Sequence, residues 1–265
     1  MPATYAHYVF GKKVYAKLSK EEKEDIRKGK DAFLLGLHGP DLLFYYYPIG
    51  KNRINQQGVH MHKEIAADFF NRGRLSYHKQ RDQALRAYLY GFLCHFILDS
   101  ECHPYVNYYM EEQELGHLEI ETEFDRYLME LDGKNPLHDI PVHHLLSRKH
   151  TREQISAMFR SVTPKQIGIC ICLFRLVIAF FVCANPVKRA FLKILSRITG
   201  QDKSIGGLIV DGKIHPACKE SNWFLERRME HAAEIAAEEI RKYKRVLESG
   251  GLLSDRLYRN YEEPV

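Results

Sequence analysis

No CxxC pair, no strand-length alternation of apolar and polar residues, no internal repeat and only one tryptophan occur in this 265-residue chain. Each absence excludes something. Without CxxC, the six cysteines (Cys94, Cys102, Cys170, Cys172, Cys183 and Cys218) form no redox or zinc-ribbon motif. Their apolar surroundings suit buried free thiols in a reducing, cytoplasmic setting. Without alternation there is no half-buried sheet. HExxH, the P-loop, GxGxxG and GxSxG are also missing, which sets aside the chemistries those motifs carry. The opening residues, MPATYAHYVFGKK, lack the apolar core of a secretory leader, so none is expected.

Charge of one sign is scarce too. The 39 Lys and Arg are scattered among 34 Asp and Glu, for a net charge of +5. A nucleic-acid binder gathers its basic residues into a patch and offers aromatic stacking platforms. One tryptophan and dispersed charge supply neither convincingly, so a nucleic-acid partner is disfavoured.

What remains is helical. Hydrophobic residues make up 45% and charged residues 28%, an ordinary globular balance. The expected fold is all-α, a single compact multi-helix domain over residues 1–265. Ser19 with Glu22 forms a capping box, and a helical pattern runs from about Gly58 to Asn71. The longest clean run spans Gln80 to Ser100 and is expected to stop at His103-Pro104, because proline lacks the backbone donor. Another helix covers Leu115 to Leu131. Residues 133–150 look like a long connection, in which His138, His143, His144 and His150 are expected to be solvated. Thr151 and Thr163 are plausible helix starts. The apolar segment Ile167–Ala184 contains Arg175, and it suits a core helix or a surface meeting lipid better than a true span. Asn185-Pro186 breaks it, Val187–Ile198 continues, and Ser221–Glu248 is a long amphipathic helix.

The chemistry concentrates in GFLCHFILDSECHP. His95, Asp99 and His103 are four residues apart, so a helix puts them on one side at successive turns. Imidazole and carboxylate are both zinc ligands. An Asp–His ion pair with an exposed His at the helix end is the bland alternative. His117 and Glu121 repeat the spacing in GHLEIETEFDRY, with Asp125 one turn further. Three further positions join the candidates: His7 in TYAHYVFG, Asp41 after the Gly-Pro turn of LHGPDLLFYY, and His60 or His62 in GVHMHKE. His62 is preferred to His60, because Ala66 and Phe69 share its face. Taken alone, His7 could be a half-buried packing residue and Asp41 a helix cap.

Together, HYVFG, GPDLLFYY, GxxMH, YGFLCHFILDSECHPY and HxEIExEFD resemble the zinc-dependent phospholipase C family, whose helical fold is shared with single-strand-specific nucleases of fungi and plants. The likeness suggests a cytosolic bacterial branch. It covers residues 1–130 well and touches Ser221 to Leu225 weakly.

The resemblance implies two or three zinc ions. His62, His95 and Asp99 would hold one, with Asp41 bridging. His103, His117 and Glu121 would hold a second. His7, with Asp99 or Asp41 bridging, would hold a third. In secreted members the mature N-terminal residue also ligates, so here Met1 would have to be trimmed and Pro2 approach. Asp99 and His103 are also closer in sequence than the corresponding pair in those members.

The implied activity is phosphoric diester hydrolysis with a multi-zinc site that activates water, and Asp41 to orient or deprotonate that water. Tyr45 and Tyr46 would line the substrate cleft or simply pack. A phospholipid is the first substrate expected, with possible peripheral membrane contact. The rivals are a single-strand nuclease and a metal-stabilised, non-catalytic protein of the same fold.

Overall fold

The computed structural model describes residues 4–146, 148–198, 206–210 and 212–262. Helices account for its regular structure, and no strand occurs among the described residues. In chain order the helices are α1 (Thr4–Lys17), α2 (Lys20–Lys28), α3 (Lys30–Gly36), a 3₁₀ turn (Gly39–Tyr45), α4 (Arg53–Met61), α5 (Ala66–Gln80) and α6 (Gln83–Glu112). Then follow α7 (His117–Leu131), α8 (Lys149–Ser156), α9 (Pro164–Phe181), α10 (Pro186–Ile198) and α11 (Lys219–Ser249).

α6 is the axis. It packs against α1, α2, α3, α5, α7, α8 and α11, and its middle, from Ala87 to His103, is buried on every side. A helix that is buried all round belongs at the centre of a bundle. Two glycines set its closest crossing. A Cβ on Gly91 would lie 2.1 Å from the Phe33 carbonyl oxygen, and one on Gly36 would lie 2.4 Å from the Tyr88 carbonyl oxygen. α3 can therefore press its backbone onto α6, which delivers the turn that follows it to the middle of the molecule. On the other side α11 buries Ala232, Ala233, Ala236 and Ala237, small residues that allow a similarly close approach.

Two expectations about helix ends are corrected. α6 does not stop at His103-Pro104 but runs through Pro104 to Glu112. The proline removes the donor that would reach the Ser100 carbonyl, yet tertiary contacts carry the helix on. Val106 is buried, Tyr105 stacks on Phe224 with ring centroids 3.8 Å apart, and the Tyr109 hydroxyl donates to the Ala217 carbonyl. The stretch 58–71 is not one helix either. α4 ends at Met61 and α5 begins at Ala66, while the Ser19–Glu22 and Thr163–Gln166 capping boxes both form.

The apolar segment gives most of α9 and the short link after it, and α10 begins at Pro186 beyond the break. α9 has the length and hydropathy to cross a membrane, but it buries Ile167, Cys170, Ile171, Phe174 and Ile178 in the shared core. Its other side, with Leu176 and Phe180, is exposed.

Candidate metal centre

Side chains from five separate elements meet at one buried place. α6 supplies His95, Asp99 and His103 at successive turns of one stripe. α1 supplies His7, the 3₁₀ turn supplies Asp41, the residue closing α4 is His62, and α7 supplies His117 and Glu121. All but His117 are buried. His60 points to solvent. His62 is the inward residue for a different reason from the one the sequence suggested: it caps the end of α4 and does not share a helix with Ala66 and Phe69.

Asp99 is the hub. Its Oδ1 lies 3.3 Å from His7 Nε2, and its Oδ2 lies 3.2 Å from His95 Nε2, 3.7 Å from His62 Nε2 and 3.9 Å from His103 Nε2. Asp41 Oδ1 lies 3.1 Å from His62 Nε2. Glu121 Oε1 lies 3.1 Å from His117 Nε2 and 3.7 Å from His103 Nε2. Three groups of ligand atoms result, each within 4.8 Å: His7, His95 and Asp99; Asp41, His62 and His95; His103, His117 and Glu121. The last is the grouping expected from the sequence. In the other two, His95 is common to both, and Asp41 stands with His62 and His95.

These residues fit metal ions better than they fit one another. Both ring nitrogens of His95, together with His62 Nε2, His103 Nε2, Asp99 Oδ2 and Glu121 Oε2, are buried without a hydrogen-bond partner. Buried polar atoms are normally paired, and an unpaired one costs roughly 1–3 kcal/mol. Two ligand atoms about 2.1 Å from a shared tetrahedral zinc stand roughly 3.4 Å apart, within the 3.2 to 3.9 Å range seen around Asp99. His62 also has the outer support of a metal ligand: its Nδ1 donates to the Gly58 carbonyl at 2.9 Å, which leaves Nε2 bare towards Asp41.

Electrostatics point the same way. Burial drives His95 down to about 4, with the nearby His7 and His62 adding to the effect against Asp99 and Asp41. Its ring therefore stays neutral while stacked 4.5 Å from His7. For His103 burial is outweighed by the Asp99 and Glu121 carboxylates, which hold it up to about 9. Asp99 sits well below the carboxylate range despite its burial, because His95, His103 and His7 surround it. A site so dense in carboxylate wants positive charge, and a divalent ion supplies it without protonating the imidazoles.

The surroundings hold this arrangement in place. Gly39 has φ +46°, and a Cβ there would lie 2.1 Å from His95 Cδ2, so only glycine lets the turn carrying Asp41 abut the His95 ring. Asp125, one turn beyond Glu121, accepts from the backbone N–H groups of Tyr5 and Ala6 at 2.9 and 2.7 Å. α7 thereby caps the first turn of α1, which carries His7, through a bond to Ala6 from 119 residues away along the chain.

Tyr45 is buried and stacks on Phe174 with centroids 3.9 Å apart, while Tyr46 is half-buried against Tyr47. His138, His143 and His150 are exposed, but His144 is a correction. The turn 141–144 folds back on α1, and His144 is buried with its Nε2 2.9 Å from His38 Nε2 and its ring stacked on Tyr8. Burial pushes His38 well below its ordinary value and His144 down to about 3, so both are neutral. Nothing in the local sequence marks this pair, because it exists only across a tertiary contact. Met1 and Pro2 lie outside the described residues.

Compared with known families, residues 6–171 match the one described as zinc dependent phospholipase C. No curated protein and no solved structure matches the chain.

Proposed function

The chain belongs to the zinc-dependent phospholipase C family, and we propose from that premise that it is a phosphoric diester hydrolase acting on a phospholipid headgroup. The observation that carries this is the gathering of buried, unpartnered histidine and carboxylate atoms around Asp99. His7, Asp41, His62, His95, Asp99, His103, His117 and Glu121 are the proposed ligands for two or three zinc ions. Bound zinc supplies Lewis acidity and lowers the pKa of a coordinated water from 15.7 to about 7.

The protein's own groups divide the remaining work. The Asp41 carboxylate is held ionised beside His62, against the upward push of its burial. It is the proposed group that orients the attacking water and accepts its proton. His62 is fixed by Gly58, which keeps the acceptor geometry around Asp41 constant. His117, partly exposed, marks the side on which the centre meets solvent. Tyr46, half-buried beside the turn that carries Asp41, is the better placed of the two tyrosines to meet substrate; Tyr45 serves packing. A cytoplasmic location belongs to the same proposal and is supported by six unpaired cysteines, five of them buried.

The test is metal analysis of untagged protein followed by substrate comparison. Two or three zinc equivalents, with release of a phosphorylated headgroup from short-chain phosphatidylcholine, are expected. Cleavage of single-stranded DNA instead would reassign the substrate to nucleic acid. Bound zinc without activity on either would make the centre structural.

A further inference from the structure

We infer that α10, with the exposed end of α9, is a docking surface for an anionic lipid bilayer. α10 is amphipathic in the wrong sense for a soluble protein. A surface helix ordinarily turns its apolar stripe to the core and its polar face to water. Here Val187, Phe191, Ile194, Leu195 and Ile198 recur at spacings of four, three, one and three and form one stripe. They are 75%, 62%, 55%, 45% and 78% exposed, respectively. The one buried residue of the helix is Ser196, on the opposite side. Leu176 (58%) and Phe180 (50%) of α9 are exposed as well. Apolar side chains scattered singly need no explanation, but a contiguous stripe on one helix does.

Charge complementarity selects the occupant. From residue 154 to 198 there is no Asp or Glu, whereas Arg160, Lys165, Arg175, Lys188, Arg189, Lys193 and Arg197 lie in that interval. In a chain with 34 acidic residues, so long a stretch without one stands apart from the rest of the surface. Around the helix axis Lys188 and Arg197 fall on the two flanks of the apolar stripe. Basic residues in this position sit at the level of lipid headgroups while the stripe enters the acyl boundary. A protein partner would be met equally well by a mixed rim, and a second copy of the same face would bring like charges together.

The corner between the helices is built to hold this attitude. Lys188 Nζ donates to the Phe180 carbonyl at 2.7 Å and lies 4.4 Å above the Phe180 ring, and Arg189 donates to the carbonyls of Cys183 and Ala184 at 2.8 and 2.9 Å. The last carbonyls of α9 and the chain just beyond it are satisfied by the first turn of α10, so the two helices are tied at the bend. Docking here deepens the phospholipid reading, but it stands on residues remote in sequence from the metal ligands.

The experiment is co-sedimentation of the full chain with vesicles of phosphatidylcholine alone and of phosphatidylcholine with phosphatidylglycerol in equal parts. Capture by the anionic vesicles, lost at high salt, is expected. Phe191→Asp should weaken partitioning about tenfold or more, since one large apolar side chain no longer enters the acyl region. Arg197→Gln should weaken it about fivefold. Both variants should keep wild-type helicity, metal content and hydrolysis of a soluble short-chain diester. No capture of the wild-type chain by anionic vesicles overturns the inference, as does unchanged capture of Phe191→Asp. A dimer in sedimentation velocity that Phe191→Asp splits, without vesicle capture, overturns it in favour of a second copy. If vesicle capture holds and no diester is cleaved, the docking surface stands and the proposed hydrolysis falls.

Discussion

The metal centre and the α9–α10 corner invert the ordinary rule of burial in opposite ways. Around Asp99 the molecule puts carboxylates and imidazoles inside; along α10 it puts Phe191 and Ile198 outside. Polar groups buried without partners and apolar groups exposed in a stripe are both costly for an isolated chain. On the readings proposed above, a divalent cation would relieve the first cost and a lipid surface the second, neither of which the polypeptide itself contains. The contrast shows why such departures are more informative about function than a well-made core is. α6 from Gly91 to Cys94 is apolar, is buried on every side, and says nothing about what the protein does.

The largest effect that could break the comparison is at Asp99. Asp99→Ala removes the carboxylate nearest to four histidines and should abolish at least one zinc equivalent, lower diester hydrolysis by more than about 100-fold, and cost several kcal/mol of stability in the zinc-loaded protein. Metal analysis and denaturant melts check it together. Retained stoichiometry would overturn the ligand assignment, and the centre would then be no more than an ion-pair network.

A smaller effect should separate the two kinds of phenylalanine. Phe174 is buried beneath Tyr45 and His38, and Phe174→Ala should cost about 3–5 kcal/mol in urea unfolding. Phe191→Ser should cost no more than about 0.5 kcal/mol in the same measurement. Equal losses would mean that α10 belongs to the core and is not a surface awaiting lipid.

The smallest expected effect sharpens the electrostatic half. In metal-free protein His103 is held up to about 9 by Asp99 and Glu121. Its folded value exceeds its unfolded one, so its contribution is complete below about pH 6.5 and is lost as pH rises through about 9. Urea melts of chelated protein should therefore weaken by roughly 3 kcal/mol between those limits. Below pH 6.5 His95 acts oppositely, because burial holds it down to about 4 and the unfolded chain takes up the proton first. Zinc-loaded protein should lack the alkaline loss, since the metal takes the place of the His103 proton. The same slope in both forms would indicate that His103 binds no metal.

Much of this was legible in the chain itself. The spacing of His95, Asp99 and His103 follows from helix geometry, and so does that of His117 and Glu121. The local pattern also carried the Ser19–Glu22 capping box of α2 and the start of α9 at Thr163, because these depend on neighbours three or four residues away. It misplaced the start of α8, where Thr151 lies inside a helix whose N-cap is Arg148. The family signature lies in the same short-range motifs. What no local pattern could supply were the relations between elements. α6 continues through Pro104 because Tyr105 and Tyr109 find partners on and just before α11. His62 faces inward because α4 ends beside it, and His144 is buried because a distant turn folds onto α1. The orientation of α10 was hidden for the same reason: its apolar stripe is plain in the sequence, but periodicity fixes only which residues share a face. Whether that face meets the core or the solvent is set by what packs against the other side, and there it is Ser196 that the fold buries.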